Sequence, residues 1–162
     1  MIGIVWLLVS LSPSAAAQPP PDSQRTSPFA REFVSSHNSI RFRVSVPPLT
    51  WSDELARYAQ QWAKHLLARN RFQHRPNTPY GENLYSVTGA RATPAGVVDS
   101  WAAEAPNYNH RKNLCRGVCG HYTQIVWRRT TKVGCGVARG RDREVWVCNY
   151  DPAGNFIGER PY

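Results

Sequence analysis

The chain has 162 residues, which is one domain's worth. At 41% hydrophobic and 19% charged it is neither a disordered polymer nor a collagen-like or coiled-coil rod. Twenty Lys and Arg stand against eleven Asp and Glu, a net charge of +9 carried mostly by arginine; nucleic acid, an acidic wall polymer and an anionic membrane are all electrostatically admissible partners.

Ile2 to Leu11 is an apolar run of signal-peptide length, too short to span a bilayer, and Ala15-Ala16-Ala17 supplies the small residues of a cleavage site before Gln18. The expectation is a secretory signal over 1–17, although no basic side chain precedes the run. A polar, proline-rich lead-in follows over 18–28, and one folded unit over 29–162. A unit of that size buries roughly two-thirds of its unfolded surface.

Within it, a first helix is predicted from Ser27 or Pro28 to about Arg43, with Phe29, Phe33, His37 and Ile40 on one stripe. The second helix has the clearest signals. Ser52 is its N-cap, Asp53 and Glu54 sit in the first turn, and Leu55, Ala59, Trp62, Ala63 and Leu66 form its apolar face. A third begins at Thr93-Pro94 and stops before Pro106, and a short one opens near Gly120-His121. Val133–Val137 and Val145–Tyr150 read as strands flanking Gly140 to Arg143. The class is α+β, with helices covering a small antiparallel sheet.

Four cysteines fit an oxidising compartment. Cys115 and Cys119 have the spacing of half a zinc site, but Cys135 and Cys148 supply no second such half, so two disulfides are the better reading. If the hairpin turns about Arg141-Asp142, Cys135 faces Cys148 and the two can bond. Cys115–Cys119 follows by elimination.

Several polar groups do not suit a core. Val97, Trp101 and Glu104 fall on one face of the third helix, and a carboxylate there must find donors. Glu82 lies between a turn glycine and Leu84. His65 and His110 are expected in solvent, and His37 as a satisfied core group. His74 and His121 remain, and with Glu82 and Glu104 they would form either a ligand set that zinc accepts or a hydrogen-bonded quartet.

Three blocks now carry a resemblance: Gly81-Glu82-Asn83-Leu84, Gly120 to Trp127 (GHYTQIVW), and Cys148 to Asn155 (CNYDPAGN). They resemble the signatures of the CAP superfamily, which unites cysteine-rich secretory proteins, antigen five and plant pathogenesis-related proteins of group one. Trp51 to Leu55, Trp101 to Tyr108 and the closing Arg160-Pro161-Tyr162 point to the plant group. The resemblance implies a three-layer α-β-α sandwich with a cleft lined by His74, Glu82, Glu104 and His121. Plant members usually carry six cysteines; the pair absent here maps to Asn70 and Gly140, which implies stability lower by roughly 2–4 kcal/mol unless something compensates.

By that resemblance the chain is expected to be a secreted, extracellular defence protein, active against fungi and oomycetes by binding membrane sterol or another lipid. Trp101 and Tyr108 resemble the lipid-binding loop. The tail after Tyr150-Asp151-Pro152 resembles a releasable signalling peptide; the alternative is a packed tail with Phe156 and Ile157 in the core. A metal-dependent hydrolase using the quartet is the rival, although no nucleophile motif such as G-x-S-x-G is present. Zinc at the quartet is a candidate ligand and no cofactor is required. Arg111, Lys112, Arg116, Arg128, Arg129 and Lys132 cluster without a nucleic-acid motif, so a wall or membrane contact is expected there, and the protein is expected to be monomeric.

Overall fold

A computed structural model describes residues 26–162; the expected signal over 1–17 and most of the expected lead-in over 18–28 lie outside the described residues. Helix α1 (Pro28–Phe42) starts where Ser27 accepts a hydrogen bond from Ala30 N, with proline in its first turn. Strand β1 (Thr50–Trp51) leads into α2 (Asp53–Ala68), capped by Ser52 through Leu55 N. Strand β2 (Gly81–Thr88), α3 (Pro94–Ala102), a single turn of 3-10 helix (Ala105–Asn107), and the short pair β3 (Tyr108–Asn109) and β4 (Leu114–Cys115) follow. Helix α4 (Gly120–Ile125), β5 (Lys132–Arg139) and β6 (Arg143–Asp151) complete the order.

The main sheet has the order β1-β5-β6-β2. It is antiparallel except at its edge, where β1 pairs parallel with β5, a correction to the wholly antiparallel expectation. Strand β6 shows the layering most plainly, because successive side chains point to opposite faces. Trp146, Cys148 and Tyr150 join Phe33, Val97 and Ile125 in one core under α1, α3 and α4. Val145 and Val147 join Ala59, Ala63 and Leu66 in the other, under α2. The result is the expected α-β-α sandwich. Helix α2 lies unusually close to β5, since a Cβ at Gly134 or Gly136 would run into the α2 backbone at Ala56 and Gln60.

The hairpin register is the one the cysteine spacing predicts: Cys135 faces Cys148, with Cα atoms 4.1 Å apart and the sulfurs bonded. Cys115 and Cys119 form the second disulfide. Arg143 ties together Asn70 and Gly140, the sites to which the resemblance maps a third disulfide. It donates to Asn70 Oδ1 at 2.8 Å, to Ser86 Oγ at 2.9 Å and to Arg71 O, while its own carbonyl accepts from Gly140 N at 2.8 Å.

Two buried charges hold the framework. Arg41, fully inside, donates to the carbonyls of Pro47, Ile125, Trp127 and Thr130 at 2.7–3.0 Å, so α1, α4 and the loop after it are fixed by one guanidinium. Glu144 accepts from Arg91, Arg139, the Trp146 indole and Ala92 N. Burial works against its charge, but those donors prevail and hold its carboxyl below the usual range.

Candidate functional site

The four predicted residues come together as two pairs. Helix α2 ends at Ala68, and the coil beyond it brings His74 to the rim of β2. There His74 Nδ1 donates to Glu82 Oε1 at 2.8 Å, and Arg75 N donates to the same oxygen at 3.0 Å. The Glu82 side chain is only 3% exposed, against 66% for His74. The hydrogen bond to Glu82 raises the His74 pKa, outweighing its partial desolvation. Glu82 Oε2 is buried and has no hydrogen-bond partner among the described residues.

Glu104 does not lie on the face of α3, as the periodicity suggested. The helix ends at Ala102, and Glu104 sits in the turn that starts the 3-10 segment. From there its carboxylate reaches the N-terminus of α4, where Cys119 offers no side-chain cap. Glu104 Oε2 accepts from His121 N at 3.0 Å and Tyr122 N at 3.2 Å, and Oε1 accepts from His121 Nδ1 at 2.6 Å. One carboxylate thus caps a helix and fixes the orientation of the imidazole, favoured by the positive end of the helix dipole.

His74, Glu82 and His121 line a cleft of about 260 Å³, with Asn83, Val118 and Asn155 on its other walls. Glu104 sits behind His121. Both imidazoles spend Nδ1 on a carboxylate, which leaves each Nε2 without a protein partner among the described residues. No three His, Cys, Asp or Glu gather as a metal cluster among the described residues, so the quartet is not a four-ligand site.

Trp101 is not part of a loop. It is 2% exposed on α3, its indole donates to Leu84 O at 3.0 Å, and its ring stacks on His121 with planes 14° apart. Tyr108 is half-buried on β3 and donates to Asn113 Oδ1. It borders a second cleft of about 280 Å³ with Cys115, Cys119, Trp127, Phe156 and Pro161. Gly120 and Asn155 line both clefts, so the two are neighbours.

The tail forms one wall of that second cleft. Tyr150 is buried, Asp151 is half-buried at the end of β6, and Pro152 is exposed. Phe156 is 52% exposed and Ile157 fully so, which overturns the packed-core expectation for both. What docks instead is the end of the chain. Pro161 O accepts from Arg128 N, the Tyr162 ring stacks on His110 at 4.5 Å, and its hydroxyl meets that of Tyr122. His110 is exposed, as expected, and one face of its ring is taken up by the tail. Asn83 and Asn155 went unnoticed in the sequence as site residues, although both stand inside the signature blocks.

The model of the CAP family, described as the cysteine-rich secretory protein family, matches residues 34–150, and the chain belongs to that family. It is similar to pathogenesis-related protein 1A of Nicotiana tabacum, 40% identical over 165 residues spanning 100% of this chain and 92% of that protein. Among solved structures it is similar to venom allergen-like protein 4 of Schistosoma mansoni, with a TM-score of 0.69 and 30% identity over 85% of this chain and 95% of that one. It is also similar to NaASP2 solved with Zn2+, with a TM-score of 0.70 and 26% identity over 88% of each chain.

Proposed function

We propose that this is a secreted plant defence protein that acts by binding lipid, membrane sterol included, of a fungal or oomycete target, with no catalytic step. Similarity to plant pathogenesis-related proteins supports the defence role, and the family together with two disulfides supports secretion. The observation that carries the lipid reading is the second cleft, lined by the rings of the buried Trp127, the half-buried Tyr108 and the exposed Phe156. Titrating a fluorescent sterol tests it. Saturable binding is expected, weakened about tenfold in Tyr108→Ala, a loss of about 1.4 kcal/mol. Absence of saturable binding removes the mechanism. Trp101→Ala is unsuitable because it empties the core.

The tail reading has its own support: the Tyr150-Asp151-Pro152 junction coincides with the end of β6, and the residues beyond it carry no regular structure. Mass spectrometry of extracellular fluid after elicitation should find the Pro152–Tyr162 fragment, and a tail that stays intact leaves it a packing role.

Zinc fits the first cleft in donor chemistry. His74 and His121 would hold it through Nε2, with Glu82 and Glu104 orienting the rings, and the related NaASP2 is solved with Zn2+. Zinc when bound supplies Lewis acidity and an acidified water, the basis of the hydrolase alternative. The orphan Glu82 Oε2 is the one observation that favours it. Calorimetry with zinc, repeated on His121→Ala, tests occupancy. Zinc-dependent turnover lost in Glu104→Gln is what the hydrolase reading requires.

A further inference from the structure

Among the described residues six large apolar side chains stand exposed, and four of them, Leu114, Val118, Phe156 and Ile157, belong to two segments held side by side. The β3–β4 hairpin with its disulfide loop provides the first two, and the tail provides the others. Asn113 Nδ2 donates to Gly158 O and Glu159 O at 3.3 Å, and Arg160 donates to His110 O and Arg111 O. The Cys115–Cys119 bond closes the loop that carries Arg116 and Val118. Arg128 and Arg129 adjoin the tail: Arg129 pairs with Glu159, and its guanidinium lies 5.9 Å from the Phe156 ring.

These segments carry Arg111, Lys112, Arg116, Arg128, Arg129 and Arg160 against one acidic side chain, Glu159, so more than half of the formal side-chain charge of +9 is concentrated here. Exposed aliphatic and aromatic tips ringed by cations complement one surface in particular. The tips enter the acyl boundary while the guanidinium and ammonium groups meet lipid phosphates. We propose that this face docks the protein on an anionic phospholipid bilayer, with Val118 and Ile157 as the inserting tips. The inference needs no ligand in either cleft and stands or falls apart from the sterol reading.

Vesicle co-sedimentation of the full chain tests it. Three compositions are compared: phosphatidylcholine alone, phosphatidylcholine with phosphatidylglycerol, and phosphatidylcholine with ergosterol. The face predicts binding to the phosphatidylglycerol vesicles and none to phosphatidylcholine alone, weakening as salt is added, whereas retention on the ergosterol vesicles reports the sterol cleft and does not depend on salt. Lys112→Gln and Arg116→Gln should each lower the partition about fivefold, and Ile157→Asp about tenfold or more. Ile157 is fully exposed, so that variant should keep the parent's melting temperature. Equal binding to all three vesicles, no binding to any, or binding unchanged in Ile157→Asp overturns the proposal. So does retention on polygalacturonate with none on the phosphatidylglycerol vesicles, which would make the face a wall-polymer site.

Discussion

His37 and His74 are the same side chain in two regions that treat it oppositely. At the cleft rim His74 leans on a buried carboxylate and its pKa rises. Inside the upper core His37 has no carboxylate; its Nδ1 donates to Phe33 O at 2.8 Å and its Nε2 accepts from Tyr150 at 2.9 Å. Complete burial pushes its pKa down from 6.5 to about 4, with Arg41 adding to the effect. The core network, continued through Asn83 to His121 O, is built for a neutral imidazole, and the rim is built for one that can hold charge. Being fixed from opposite sides, the two regions fail under opposite conditions.

Arg41→Met should do the most damage on the core side, because four carbonyls lose their only shared donor; chemical denaturation should show a loss of about 4 kcal/mol or more. Acid should come next. Unfolded His37 takes up its proton near pH 6.5, whereas in the folded state it resists until about pH 4, so stability falls as pH drops across that window. The His37 contribution to that loss is about 3 kcal/mol, and His37→Gln should flatten the stability–pH curve there. Replacing both Cys135 and Cys148 by alanine should cost about 3 kcal/mol from loop closure, against about 2 kcal/mol for the shorter Cys115–Cys119 loop, read as melting curves.

The rim effect should be smallest. The stabilisation from the His74–Glu82 bond is present below the ordinary imidazole pKa and is lost as pH rises through the raised one. With His74 largely exposed, Glu82→Gln should cost that bond under about 1 kcal/mol while returning the His74 titration, followed by NMR, toward its ordinary value. A His74 titration unmoved by that change would break the contrast with His37.

Local chemistry was the legible part of the sequence. The Ser52 cap, the apolar face of α2 and the Cys135–Cys148 register all follow from neighbours a few residues away, and each stands where the spacing put it. The site was legible as a set of residues but not as a geometry. Glu104 was correctly suspected as a carboxylate in need of donors, yet those donors are the first amides of α4, which no periodicity within α3 reveals. Strand β2 was missed for a related reason: Glu82 and Asn83 interrupt its apolar pattern because both face fixed polar partners. Arg41 and Glu144 owe their burial in large part to partners distant in the chain, the carbonyls of Ile125, Trp127 and Thr130 for one and Arg91 and Ala92 N for the other. The tail misled because hydropathy cannot tell which apolar residue of a coil finds a socket; Pro161 did, and Ile157 did not.

The far end of the tail has a temporal consequence. Hydrolysis of the Asp151–Pro152 bond leaves the downstream fragment still gripped by Arg128, Tyr122 and His110, and upstream by Gln124 and Thr123 through Gly154 and Asn155. Scission and departure are then separate events. If the tail is released as proposed, a nicked molecule would persist as a store whose emptying rate depends on those few grips rather than on the cut.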